Sequence, residues 1–335
     1  MDPIHTFPDD ERERLSAVLA KVTENPYQDY PAFSRSVGVL ADQDAVPAGF
    51  AEACRTIRDE RRSGAAEVHA LRNCPMDEKI PVLDHDDPVG SKYAAKHTFV
   101  GEAFLELFSR LTATPLLAYA TRFNGDFFTD VVAHNKYRGK QTGFTDGDLV
   151  FHNDRTAHPV RADHITLLGL RCPEPDLVYT GFVSGRALVA QLSDAEQRDL
   201  RKPWYVTPFD VVSKDGNTAL SASEPHAIIE NDHSFRYLDT HTAVAPEAPT
   251  AAKDALLALK NALARAPRVR HRIRTGDLFT FANQDGLHNR EQIEVADPEL
   301  ARERWLLKTY AFADDRTADR YAPAWVDGVR GRVGD

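Results

Sequence analysis

Phe151-His152-Asn153-Asp154, near the middle of a 335-residue chain, is the stretch that decides the fold. Along a strand, side chains at i and i+2 point to one face. His152 and Asp154 therefore present an imidazole and a carboxylate to one point, with Asn153 turned away. One more histidine from another strand completes the two-histidine, one-carboxylate set that holds non-haem Fe(II) with coordination positions left open. His-x-Asp alone is ordinary surface sequence, so its weight comes from the segments around it.

Those segments are short and β-type: 126–133, 148–152, 163–171 and 178–183, followed by 235–239, 276–282 and 304–312. Many short strands separated by turn residues predict a sandwich, jelly roll or barrel. Before Pro115 the pattern differs. Apolar residues at three- and four-residue spacing predict helices over 9–21, 48–63 and 99–111, with a Pro- and Asp-rich loop from Pro75 to Pro88. Residues 1–115 read as a helical support. A further helix is predicted over 250–265, and the irregular, polar stretch 195–234 has the length of a lid or binding loop.

Composition narrows the function classes. Hydrophobic and charged contents of 42% and 27% are those of an ordinary globular protein. The 41 Lys and Arg against 51 Asp and Glu give a net charge of −10, which argues against nucleic-acid or anionic-membrane partners. Cys54, Cys74 and Cys172 lack metal-type spacing and suit a reducing compartment. The acidic N-terminus has no apolar run, and no segment reaches the ~20 apolar residues of a membrane span. A soluble, cytoplasmic protein is expected.

Among 13 histidines, His288 is the best third ligand, because it follows the late strand in GDLFTFANQDGLHNR. Asp239 and His241 form a rival i, i+2 pair, ranked second because no basic strand accompanies it. The basic strand is Arg304-Trp305-Leu306-Leu307-Lys308-Thr309-Tyr310, where Arg304, Leu306 and Lys308 share a face. Buried cations need partners, and arginine grips a carboxylate with two prongs. The partner is either an internal acid or a dicarboxylate co-substrate. The iron reading favours the second, because Fe(II) needs an electron source to activate O2 and 2-oxoglutarate supplies one.

In order, His152-x-Asp154, Thr180, Gly276-Asp277-Leu278, His288 and Arg304-Trp305-Leu306 resemble the Fe(II)/2-oxoglutarate oxygenases of the taurine dioxygenase and clavaminate synthase superfamily. Within it the sequence is most similar to amino-acid hydroxylases such as asparagine oxygenase and viomycin-pathway arginine hydroxylase. The resemblance spans about 115–313. It implies an α+β, mainly β fold: a double-stranded β-helix, or jelly roll, with N-terminal helical support and a lid-like insertion. The division expected is one catalytic domain over 1–335, with support in 1–115, a core in 116–315 interrupted around 195–265, and a tail in 316–335.

The resemblance also implies roles. His152, Asp154 and His288 resemble the iron ligands. Arg304 resembles the arginine for the distal carboxylate of 2-oxoglutarate, helped by Thr180. Lys308 stands where relatives usually carry a second arginine, near the co-substrate or the substrate carboxylate; a lysine keeps the charge and loses the fork. Asn289 departs from a common glycine, whereas the following Arg290 matches. Asp239 and His241 occupy a segment that carries substrate-binding acids in arginine hydroxylase, and Thr121 falls where relatives place a substrate-touching glutamine.

The activity implied is hydroxylation of an unactivated C–H of a free amino acid, using Fe(II), 2-oxoglutarate and O2 and releasing succinate and CO2. With Asp154 present, halogenation is not expected; desaturation or cyclisation uses the same oxidant. Asp239 points to a basic substrate of lysine or arginine type. The alternatives are the same chemistry on a carrier-bound amino acid or another small substrate, and a non-catalytic jelly-roll binding protein.

Overall fold

The computed structural model describes residues 1–41 and 46–334. Its strands are β1 (His5–Thr6), β2 (Val68–Arg72), β3 (Leu116–Tyr119), β4 (Thr129–Val132), β5 (Leu149–His152), β6 (His164–Arg171) and β7 (Leu177–Ser184). Then come β8 (Tyr205–Val206), β9 (Ala243–Val244), β10 (Val269–His271), β11 (Leu278–Ala282), β12 (Gly286–Glu294), β13 (Trp305–Ala311) and β14 (Arg332–Val333). Among the described residues, eight of these strands form a larger sheet ordered β1-β2-β11-β6-β13-β3-β14, with β4 also pairing β13. A smaller sheet runs β10-β7-β12-β5. The two sheets face each other: the rings of Phe182 and His288 from the smaller meet Phe281 from the larger at 6.0 and 4.6 Å.

The expected strand at 235–239 is absent. That segment makes only single bridges, Ile229 to Phe235 and His152 to Leu238. The reverse holds for β12, which sequence reading placed beyond the last strong strand. Gly-Leu-His-Asn-Arg-Glu-Gln-Ile-Glu has little apolar alternation, but it lies between β7 and β5, so both its edges are hydrogen-bonded, and its His288 and Arg290 line the space between the sheets. Gly286 opens it because a larger residue would collide with the Phe182 ring.

Among the described residues before 116, five helices fill much of the chain: α1 (Asp9–Leu19), α2 (Tyr30–Ala41), α3 (Ala48–Ser63), α4 (Pro88–Ala95) and α5 (Val100–Thr112). Helix α5 is the keystone. Phe104 packs on Phe7 and Phe50 at 5.8 and 5.3 Å, while Gly101 lets the helix approach Leu168 and Leu170 of β6. Each fully buried Leu or Phe of this kind contributes about 1.5–3 kcal/mol. Three buried cation–carboxylate contacts tie the layer down: Lys92 to Asp130 at 2.7 Å, and Lys96 to Asp77 and Glu102 at 2.8 Å each.

The N-terminal third is more than a helical support, because β1 and β2 extend the larger sheet beside β11. The last residues also do more than trail: β14 pairs in parallel with β3, and Val333 is fully buried. Helices α6 (Gly185–Val189), α7 (Asp194–Leu200), α8 (Val211–Gly216) and α9 (Thr250–Arg265) lie between β7 and β10. No helix among the described residues is long and apolar enough to cross a membrane.

Candidate active site

Between the sheets lies a cavity, and its floor is set by β5 and β12. His152 and His288 are paired residues of these antiparallel neighbours, so both imidazoles emerge on one side with ring centroids 4.2 Å apart. Asp154 lies just past the end of β5, where the chain turns through Arg155 at φ 60°. That left-handed conformation is uncommon for a non-glycine residue. Two buried amides hold it in place. Asn153 Nδ2 donates to the carbonyls of Asn283 and Gly286 at 2.5 and 2.8 Å, and its Oδ1 accepts from the Tyr237 amide at 2.8 Å. Asn283 Oδ1 in turn accepts from the Asp154 amide at 2.8 Å. The turn that carries the carboxylate is thus fastened to the loop between β11 and β12, so the ligands on β5 and β12 are located together.

The ligand atoms of His152, Asp154 and His288 all lie within 4.8 Å of one another. Asp154 Oδ1 is 3.2 Å from His152 Nε2 and 3.6 Å from His288 Nε2. Neighbouring ligands about 2.1 Å from one ion are separated by roughly 3 Å, so the set fits a facial metal site. Protonation fits as well. His152 Nδ1 meets the Val150 carbonyl at 2.7 Å, which fixes the proton there and leaves Nε2 as the donor. Burial, with His152 beside it, lowers His288 to about 4, so its imidazole is neutral. Burial opposes the charge on Asp154, but Lys308 and the two histidines outweigh it and hold the carboxyl well below its ordinary range.

Along β12, Arg290 follows His288 by two residues on the same face and pairs with Thr180 of β7. Two residues of strand span about 6.8 Å, which suits a ligand with one end at the metal and the other at a cation. Arg290 donates to the Gly147 carbonyl and to Thr145 Oγ1. Arg304, just before β13, leaves its buried Nη2 without a hydrogen-bond partner. Neither guanidinium has a carboxylate ion pair among the described residues. Burial, and then the repulsion of Arg304, lowers Arg290 to about 9; burial likewise lowers Arg304. Two desolvated guanidiniums without an anion form a place for one.

Lys308 lines the same cavity and donates to Asp154 Oδ2 at 2.8 Å. Across the opening, Pro208, Phe209 and Asp210 come from the long irregular stretch. Asp210 caps α8 and accepts from Arg122 Nη1 at 2.6 Å. Arg155 adds a bond to Ser213 Oγ at 2.5 Å and stacks its guanidinium over the Tyr119 ring at 4.2 Å.

Three expected substrate contacts fall elsewhere. Asp239 does not line the cavity: its Oδ1 accepts from Lys260 Nζ at 2.8 Å, from Tyr237 Oη at 2.7 Å and from the Thr240 amide at 2.9 Å. Arg236, three residues away in the sequence, donates to the carbonyls of Thr156 and Ala157. His241 is exposed and contacts Thr240 Oγ1, so the rival metal pair does not form. Thr121 is not in the cavity lining, and its neighbour Arg122 takes that place. Arg122, Arg155 and Asp210 were not singled out in the sequence as contacts; nothing in their local pattern marks them. Arg290 had a usable signal, since the i, i+2 rule puts it beside His288.

The model of the family described as "Taurine catabolism dioxygenase TauD, TfdA family" matches residues 99–310. No match is found among curated proteins. Among solved structures, asparagine oxygenase with Fe(II), (2S,3S)-3-hydroxyasparagine and succinate superposes with a TM-score of 0.80 at 20% identity, covering 99% of each chain. The non-heme iron oxygenase OrfP with Fe and alpha-ketoglutaric acid gives 0.78 at 19%, covering 99% of this chain and all of the other. OrfP with Fe, succinate and (3S)-hydroxy-L-Arg gives 0.77 at 18% with the same coverage. The chain shares the fold of these proteins.

Proposed function

The chain belongs to the taurine catabolism dioxygenase TauD/TfdA family, whose members use Fe(II), 2-oxoglutarate and O2, and on that premise we propose that it hydroxylates a free amino acid at an unactivated C–H bond. The observation that carries this reading is one cavity holding a His-Asp-His cluster beside two guanidiniums with no carboxylate ion pair among the described residues. In this reading the two facing sheets form a distorted double-stranded β-helix within a single catalytic domain.

His152, Asp154 and His288 would hold the iron, and Arg304 and Arg290, with Thr180 beside them, would take the distal carboxylate of 2-oxoglutarate. Bound there, the metal and co-substrate supply an oxidant strong enough to break a C–H bond, with succinate and CO2 released. The protein's own part is to exclude water from the cleft, to keep the His288 imidazole neutral and to hold Asp154 charged. Residues 208–210 close one side of the cavity and so bear on substrate access. The expectation of a basic amino acid rested on Asp239; with that carboxylate committed to Lys260, it is not carried forward.

The test is anaerobic addition of Fe(II) and 2-oxoglutarate, followed by a screen of the twenty amino acids for substrate-dependent succinate release. A visible charge-transfer band and stimulation by at least one amino acid are expected. A protein that gives no band is not this enzyme.

A further inference from the structure

The cavity wall carries more positive charge than the metal site and the co-substrate end use. Arg290 and Arg304 answer a dicarboxylate. Apart from them, and apart from Asp154 as metal ligand, the charged side chains in the lining are Arg122, Arg155, Lys308 and Asp210. Arg155 lies 3.9 Å from Asp210 and is engaged with Ser213 and the Tyr119 ring, so it adds to the positive charge of this wall but is not counted as a contact. Lys308, Arg122 and Asp210 remain: two cations and one anion.

An amino acid with a basic side chain brings two cations and one carboxylate, and so needs two acids where this wall offers one. An acidic amino acid brings two carboxylates and one ammonium, the same two-to-one ratio with the signs reversed, and it would share Arg122 and Asp210 with the pair they make to each other at 2.6 Å. Arg122 has capacity for the role. Its Nη1 is bonded to Asp210 and Ser213, while its buried Nε has no hydrogen-bond partner. Lys308 is bonded to one oxygen of Asp154, and its ammonium carries three protons, so it can keep that bond and also donate to an anion in the cavity. In a partly dry cleft a mismatched charge costs several times what it costs in water.

We propose that the substrate is an amino acid with a second acidic group, of the aspartate or glutamate class. Lys308 and Arg122 receive its carboxylates and Asp210 its ammonium. This rests on the iron and 2-oxoglutarate reading of the same site.

The test is titration of the anaerobic Fe(II)/2-oxoglutarate protein with L-aspartate, L-glutamate, L-asparagine, L-glutamine, L-lysine and L-arginine, following both the visible band and the heat of binding. At least one acid is expected to bind about tenfold or more tightly than its amide, a difference of about 1.4 kcal/mol, and more tightly than either base. Arg122→Gln should erase that preference and Arg122→Lys should keep part of it. Lys308→Gln should act in the same direction, and melting curves show which variants are folded. Tighter binding of a base or an amide overturns the proposal, as does failure of every acid to bind while the 2-oxoglutarate band forms. In both cases the iron reading stands and only the substrate class falls. Absence of the band overturns the iron reading and this inference together.

Discussion

Lys308 Nζ lies 2.8 Å from Oδ2 of Asp154, while the other carboxylate oxygen faces the two imidazoles. One oxygen is thus restrained by an ammonium and the other is left for a metal. Burial favours a neutral lysine, but Asp154 outweighs it and raises the Lys308 pKa. The lysine at this position therefore does something that its place in the sequence did not indicate: it restrains the Asp154 carboxylate.

Lys308→Met should loosen that carboxylate and lower Fe(II) affinity by about 10–100-fold, the usual effect of losing a ligand's hydrogen-bond partner. Lys308→Arg should restore part of it. Metal binding measured by competition with a chromophoric chelator checks this; an unchanged affinity would show that Asp154 is oriented without Lys308.

His152→Ala, Asp154→Ala and His288→Ala should each reduce metal affinity more than Lys308→Met does and leave the circular dichroism spectrum unchanged. Each would remove one of the three protein bonds to the ion that the proposed site offers. A variant that keeps a full complement of Fe(II) would remove that residue from the ligand set.

Arg304→Ala should raise the 2-oxoglutarate requirement by the equivalent of roughly 2–5 kcal/mol, as expected for a desolvated charge-assisted contact. Thr180→Val should shift it by about 1 kcal/mol. Because Arg304 has no carboxylate ion pair among the described residues and is repelled by Arg290, its loss should not destabilise the ligand-free protein. A large drop in melting temperature would reveal a structural role instead.

Asp210 gives a pH-dependent prediction. Burial works against its charge, yet Arg122 and Arg155 hold its pKa at about 2, below the ordinary 3.8. A carboxylate with a depressed folded pKa contributes stability that is present above its unfolded value and is lost as pH falls through the folded one. The contribution, on the order of 2 kcal/mol, should therefore be complete above pH ~5 and fade between about pH 4 and 2. Thermal melts of wild type and Asp210→Asn should differ at pH 6 and converge towards pH 3; a constant difference would contradict the ion-pair assignment.

Asp239→Asn should change stability by no more than about 1 kcal/mol, since its pair with Lys260 is partly exposed. It should also leave the order of amino-acid binding unchanged. A selective loss of lysine or arginine binding would return Asp239 to the substrate site.

What the sequence determined by itself was local. Helical periodicity marked Ala48–Ser63 and Thr250–Arg265 at the bounds found in the structure. Strand alternation predicted His152 and Asp154 on one side, but β5 ends at His152, and it is the turn fastened by Asn153 and Asn283 that brings Asp154 beside it. A chain of ordinary composition nonetheless carried a recognisable order of motifs. The tertiary structure alone decided which distant strands are neighbours. The pairing of His152 with His288 depends on backbone hydrogen bonds between β5 and β12, and backbone groups carry no record of residue type. For the same reason β12, polar along most of its length, was missed as a strand: its stability comes from pairing on both edges rather than from an apolar face. Charge partners were equally hidden. Asp239 lies near Arg236 in sequence but is held by Lys260 of α9, and Asp210 meets Arg122 from across the fold. A charge pairs with whatever the packed chain brings within about 4 Å, and that distance is set by the folded layers, not by separation along the chain.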